Sequence, residues 1–153
     1  MRTVLTYGTF DLFHIGHVQL LARARALGDE LIVGVSSDTF NTSKGKHSII
    51  RYEHRAAIVG AMRDVSKVVP EEAWDQKEKD IARFDVDVLV MGDDWEGKFD
   101  HLNSMCEVQY LPRTGGISTT ELKTALRPFS PEKITELQTG LSTLQQIVDQ
   151  LNG

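Results

Sequence analysis

Two histidines, His14 and His17, stand three residues apart behind the run Gly8-Thr9-Phe10-Asp11-Leu12-Phe13. That spacing puts both side chains on one face of a helical turn. Two imidazoles so placed can donate hydrogen bonds to phosphate oxygens. Their setting favours that use. Thr3-Val4-Leu5-Thr6-Tyr7 is a short apolar run that reads as a buried first strand, and Ile15 to Leu27 has helical spacing with a stop at Gly28. The pair therefore sits where a strand turns into a helix. Open α/β sheets bind ligands at such turns, because a helix N-terminus leaves backbone N–H groups unpaired and carries positive partial charge. A lone histidine there would more simply cap or pack the helix; the pair behind this turn points to an anion.

Other residues suited to anion chemistry recur at later strand ends. Lys44-Gly45-Lys46 lies in a polar loop, Thr39 to Ile50, after the second strand. Solvated lysines are common in loops, but this loop leaves the same sheet edge as the histidines. Arg51-Tyr52-Glu53-His54-Arg55 opens an amphipathic helix running to about Arg63, where Arg55, and less directly Arg63, could add positive field; the bland reading is surface ion pairs, which contribute little. Trp74 and Lys77 would share a face of a helix from Glu71 to Arg83, an apolar wall beside an ammonium. Gly92-Asp93-Asp94-Trp95-Glu96-Gly97 is a glycine-flanked turn with a flat ring and a carboxylate able to read a base; the same aspartates also suit simple turn chemistry. Arg113-Thr114-Gly115-Gly116-Ile117-Ser118-Thr119-Thr120-Glu121 enters a helix at Leu122 through a capping-box pattern, Ser118 with Glu121, giving a second helix start flanked by hydroxyls and an arginine.

The elements that must position these residues alternate. Strands are expected at Thr3–Tyr7, Leu31–Val35, Val65–Val69 (halted by Pro70), Val86–Met91 and Glu107–Leu111, with helices between them. A strand, a helix and a strand within about 35 residues is a βαβ unit with a right-handed crossover, so the fold class is α/β with a parallel sheet. No G-x-G-x-x-G follows the first strand and no P-loop sequence occurs, which argues against a dinucleotide oxidoreductase or a P-loop enzyme. The chain has 153 residues, 41% hydrophobic and 25% charged, as one globular domain would. A net charge of -5 argues against a nucleic-acid surface and makes any phosphate site local. The single cysteine, Cys106, permits no intrachain disulfide and suits a reducing cytoplasm. No run approaches a membrane span and the N-terminus does not read as a signal peptide.

The run from Gly8 to His17 resembles the G-T-F-D…H-x-G-H signature of the nucleotidyltransferase superfamily, in its cytidylyltransferase branch. The resemblance extends over about residues 3 to 127: R-Y-E-H-R at Arg51–Arg55, W-x-Q-K at Trp74–Lys77, M-G-D-D-W-E-G-K-F-D at Met91–Asp100 and R-T-x-G-I-S-T-T at Arg113–Thr120. The Met91–Asp100 run is specific to the glycerol-3-phosphate cytidylyltransferase family. Gly115 stands where family members commonly have an acidic residue, which should loosen that loop.

The resemblance implies a Rossmann-like five-stranded sheet of order 3-2-1-4-5 and the reaction CTP + sn-glycerol 3-phosphate → CDP-glycerol + diphosphate, in a homodimer serving teichoic acid or related polymer synthesis. It implies His14, His17, Lys44, Lys46 and Arg113 as catalytic. Gly8, Thr9, Phe10, Gly16, Arg55, Asp94, Trp95, Thr114, Gly116, Ile117, Ser118, Thr119 and Thr120 would join His14, His17, Lys46 and Arg113 around the nucleotide. Asp11, Asp38, Lys44, Trp74 and Lys77 would take the acceptor. Mg²⁺ would be held mainly by phosphate oxygens and water, with Asp11 as an outer ligand or an acceptor contact. Three other readings stand beside this one: an adenylyltransferase of the same fold, a cytidylyltransferase for another phosphorylated alcohol, and a non-catalytic nucleotide sensor.

Residues 128–153 lie outside that pattern. Ser130-Pro131 reads as an N-cap with proline at the first helical position, and Ile134, Leu137, Leu141, Leu144, Val148 and Leu151 recur at spacings of three and four. The stripe either folds back on its own domain or pairs with a twin.

Overall fold

The expected strands assemble into one parallel sheet of order β3-β2-β1-β4-β5 in a computed structural model that describes residues 1–128 and 130–152. The strands are β1 (Thr3–Gly8), β2 (Glu30–Ser36), β3 (Lys67–Glu71), β4 (Val88–Gly92) and β5 (Glu107–Leu111). At the centre, Leu5 of β1 is in register with Ile32 of β2 and Leu89 of β4. These three strands are buried along almost their whole length because helices and loops cover both faces, which is why they read as unbroken apolar runs. Alternate residues serve opposite faces. Val4, Leu31, Val33, Val35, Val88 and Val90 form one core with Leu21 and Ala24 of α1 (Ile15–Arg25) and Val59 of α3 (Tyr52–Gly60). Leu5, Tyr7, Ile32, Leu89 and Met91 form the other, with Ile81 of α4 (Gln76–Phe84) and Phe99 and Leu102 from the loop before β5.

The sequence expectations need three corrections. The polar loop after β2 begins with a helix, α2 (Asp38–Ser43). Ser37 caps it by accepting from Phe40 N, and the Thr42 and Ser43 hydroxyls donate to backbone carbonyls of the same helix, so its polar side chains support it. β3 runs through Pro70 instead of stopping before it. It is an edge strand, where a missing N–H is tolerated. In consequence α4 starts at Gln76, and Trp74 lies in the turn ahead of it, not on a shared helical face with Lys77.

The chain divides into two compact units, Met1–Thr119 and Thr120–Gly153, with the division inside α5 (Thr119–Ala125). In the second unit, Ser130 caps α6 (Pro131–Asn152), its hydroxyl accepting from Lys133 N and its carbonyl from Ile134 N.

Candidate active site

The start of α1 is capped by histidine in both directions. His14, in extended conformation, is the N-cap, and its Nδ1 accepts from Gly16 N at 3.0 Å. His17 Nδ1 in turn accepts from His14 N at 3.2 Å. Two orphan N–H groups are satisfied reciprocally, as in a capping box, but with imidazoles in place of the usual hydroxyl and carboxylate. With Nδ1 an acceptor in both rings, the neutral proton must reside on Nε2. Charge is disfavoured here. Burial lowers the pKa of His14; burial, then its neighbour His14, lowers that of His17 to about 4. The rings stack with centroids 3.9 Å apart, and Phe13 stacks on the other side of His17 at 5.2 Å. Both histidines are thus neutral Nε2–H donors in fixed orientation. His14 Nε2 lies 3.3 Å from Thr119 Oγ1, which donates to Asp11 O at 3.0 Å.

The backbone makes room for this pair at some cost. A Cβ on Gly16 would stand 2.8 Å from His14 Cε1, and one on Gly8 would stand 2.8 Å from the Phe10 ring. Phe10 and Leu12 take positive φ, 54° and 48°. Such left-handed residues cost on the order of 1–3 kcal/mol each and persist only where their surroundings fix them. Here Phe10 is buried and its ring meets His17 edge-on at 5.4 Å.

Arg55 and Asp11 are buried beneath this turn. Arg55 is 0% exposed. Its guanidinium donates to Thr9 O at 2.7 Å, Ser36 O at 2.8 Å and Ile50 O at 2.8 Å, and it pairs with Asp38 at 2.6 Å. Asp11 Oδ2 accepts from Ile49 N at 2.7 Å, and its Oδ1 accepts from Ile50 N at 2.9 Å and Leu12 N at 3.2 Å. Both tie the turn to the far end of the lysine loop. Asp38 also accepts from Tyr52 N, which, with Arg55, holds its carboxyl below the usual range. It links α2 to α3 and remains partly exposed. Asn41, not expected from the sequence, is buried between Thr9 and Ser48, accepting from the first hydroxyl at 3.1 Å and donating to the second at 2.8 Å.

The lysines divide by burial. Lys77 is 2% exposed, salt-bridged to Glu71 at 2.6 Å and ringed by Tyr7, Trp74 and Phe99. Ser36 Oγ donates to the other Glu71 oxygen at 2.6 Å and accepts from Lys44 Nζ at 3.2 Å. One buried carboxylate thus anchors both lysines, Lys77 directly and Lys44 through a hydroxyl. Lys44 sits 4.2 Å over the Phe40 ring, and burial lowers its pKa against the opposing pull of Glu71. Lys46 is exposed beyond Gly45, whose φ of 71° sets the turn. Lys77, for which the resemblance implies an acceptor contact, is held by Glu71 among these rings. Ser36 carried no sequence signal beyond being polar at a strand end, and Glu71 read as the start of a helix.

Trp74, Trp95 and Phe99 continue as an aromatic wall, with Trp74 5.4 Å from Trp95 and Trp95 5.7 Å from Phe99. Beside it Asp94 pairs with Arg113 at 2.8 Å. Burial raises the Asp94 pKa, but Arg113 and backbone donation outweigh it, and the net shift is downward. Thr114, Gly116, Ile117 and Ser118 form the loop into α5, Gly116 with φ of 85°; Thr120 follows Thr119 in α5. Among the described residues no group of three or more His, Cys, Asp or Glu could hold a metal ion, and Asp11 is already committed to backbone N–H groups.

Residues 5–125 match the model of the cytidylyltransferase-like family. The chain belongs to that family. This cytidylyltransferase-like chain is 57% identical over 123 residues to a glycerol-3-phosphate cytidylyltransferase of Bacillus subtilis, covering 80% of this chain and 95% of the relative. It is 56% identical over 126 residues to one of Staphylococcus aureus, covering 82% and 96%. Among solved structures, a lipopolysaccharide core biosynthesis protein of Thermoplasma volcanium shares the fold, with a TM-score of 0.65 at 24% identity over 76% of this chain and 99% of that one. No helix among the described residues is long and apolar enough to cross a membrane.

Proposed function

We propose that this cytidylyltransferase-like enzyme transfers CMP from CTP to sn-glycerol 3-phosphate, giving CDP-glycerol and diphosphate. The observation that carries the reaction class is the histidine capping box, with two neutral Nε2–H donors fixed at a helix start. The donor and acceptor rest on relatives whose names state that activity.

The acceptor phosphate is already anionic at neutral pH, so attack needs no strong base. Its oxygen bonds to the α-phosphorus of CTP in line, the bond to the bridging oxygen breaks, and diphosphate leaves with the electron pair. Negative charge builds on the oxygens around the five-coordinate phosphorus. His14 and His17 donate to them, and His14 exchanges Thr119 for the substrate. Preorganised donors of this kind need no reorganisation as the reaction proceeds. Lys46 and Arg113, both exposed, close on the triphosphate, with Arg113 leaving Asp94. Ser118 and Thr119 at the second helix start hold its far phosphates. The backbone at Gly8, Thr9 and Phe10 lets the nucleotide approach, while Asp94 and Trp95 take the cytosine. Lys44 takes the acceptor phosphate, and Trp74 walls the polyol. Mg²⁺ would accompany CTP, coordinated mainly by phosphate oxygens and water, and would neutralise charge on the phosphates. The protein works in the cytoplasm, and CDP-glycerol feeds teichoic acid or a related polyol-phosphate polymer.

The test is diphosphate release from CTP or ATP with Mg²⁺ across a panel of phosphorylated alcohols. Release with CTP and sn-glycerol 3-phosphate alone is the expected result. Release with ATP, or with phosphocholine in place of glycerol phosphate, overturns the donor or the acceptor assignment respectively.

A further inference from the structure

Beyond the family match, which ends at residue 125, the chain carries α6, a 22-residue helix. We infer that α6 is a self-recognition element that pairs with α6 of a second copy as a parallel two-stranded coiled coil.

The spacing supplies a complete heptad seam. With Ile134 at position a, Leu141 and Val148 are the next two a residues, and Leu137, Leu144 and Leu151 are the d residues. No polar residue interrupts the seam. Leucine at every d, with β-branched residues at two of the three a positions, is the combination that favours two parallel strands. All six side chains are between 45% and 81% exposed, and Ile147 beside Val148 widens the face. The opposite faces are satisfied locally, since the Thr135, Thr139 and Thr143 hydroxyls each donate to the carbonyl four residues back.

The flanking charges select the occupant. Positions e and g decide which partner a coil accepts. Here e holds Gln138, Gln145 and Asn152, and g holds Lys133, Gly140 and Ile147, so no like charges face each other when a second copy docks in parallel. Like-charged e–g pairs, by which a coil rejects its own copy, do not occur in this seam. A lipid surface fits poorly: α6 has one basic residue, Lys133, against Glu132, Glu136 and Asp149, whereas interfacial helices carry a basic polar face. Helical stability in proteins comes mostly from packing an amphipathic face, so the apolar seam of α6 needs a partner to hold it.

The test is the mass of the full chain by sedimentation, for the natural protein and for a Leu137→Asp/Leu144→Asp double variant. The expected result is a natural assembly that keeps its mass on dilution to concentrations at which the variant's mass has halved. Equal masses across the whole dilution series overturn the proposal, including the case in which α6 folds back on its own chain. A second pair of variants keeps the test independent of disruption. Leu151→Cys, on the seam, should form a disulfide-linked dimer under mild oxidation, whereas Gln146→Cys, on the outer face, should not. Equal crosslinking of the two, or none at Leu151→Cys, overturns the parallel pairing.

Discussion

His14 and His17 each spend Nδ1 on a backbone N–H, so neither can change tautomer without unpairing the helix start. His17→Ala should slow turnover by about 100-fold or more, the usual loss for one preorganised donor. A variant with near-normal turnover would remove His17 from the chemistry. The depressed pKa has a stability consequence whose sign is fixed. Between the ordinary histidine value of about 6.5 and the value of about 4 for His17, the unfolded chain binds a proton that the folded chain refuses. Stability is therefore undiminished above pH 6.5 and is lost as pH falls through this window. Urea unfolding at pH 7 and pH 5 should show a smaller loss for His17→Gln than for the natural protein. Parallel losses in the two proteins would contradict the assignment of that titration to His17. The sequence exposed the histidine pair but not its tautomer, which depends on φ and ψ at His14. It likewise marked Asp11, Arg55 and Lys77 as chemically able without disclosing that all three are buried and already bonded. A charged residue reads the same whether it faces a ligand or holds the loop that does.

Two strand ends and one helix meet in the Ser36–Glu71–Lys77 cluster, and the consequences of breaking it belong to those elements. Glu71→Gln leaves Lys77 buried without its counter-charge, and breaking a buried pair this way typically costs about 3–5 kcal/mol. The variant should unfold at clearly lower denaturant, and a Glu71→Met/Lys77→Met double variant should regain much of the loss. Because Glu71 also steadies Lys44 through Ser36, Glu71→Gln should raise the KM for the acceptor more than that for CTP. Equal rises would reduce Glu71 to a purely structural group. The expected strand order holds because βαβ crossovers with apolar strands leave few alternatives. What the sequence hid at this scale was local. Asp38–Ser43 has too few apolar residues to show a helical period, and Pro70 signals a stop until the sheet edge is known to be its place. The buried Glu71 lies one residue beyond that proline, in a stretch that reads as the start of a helix.

The whole molecule is acidic, with a net charge of -5, yet its proposed substrates are polyanions. Binding must therefore rest on cations gathered at one end of the sheet against the field of the rest. Their burial divides them into two kinds. Lys77 is shielded within the protein, whereas Lys46 and Arg113 are solvent-exposed, with Arg113 resting on Asp94. Interactions of exposed charges fade beyond a Debye length of about 10 Å at 0.1 M salt and about 3 Å at 1 M. The donor hydrogen bonds from His14 and His17 are short-range and neutral, so salt should leave them intact. These two facts separate binding from chemistry. Raising salt from about 0.05 M to 0.5 M should raise the KM for CTP several-fold while kcat changes by less than about twofold. Lys46→Gln should start from a higher KM and respond less to salt, because part of the screened attraction is already gone. Should kcat fall with salt as steeply as KM rises, the transition state would depend on the exposed cations themselves, and Lys46 and Arg113 would move from binding the triphosphate to stabilising the reacting phosphorus.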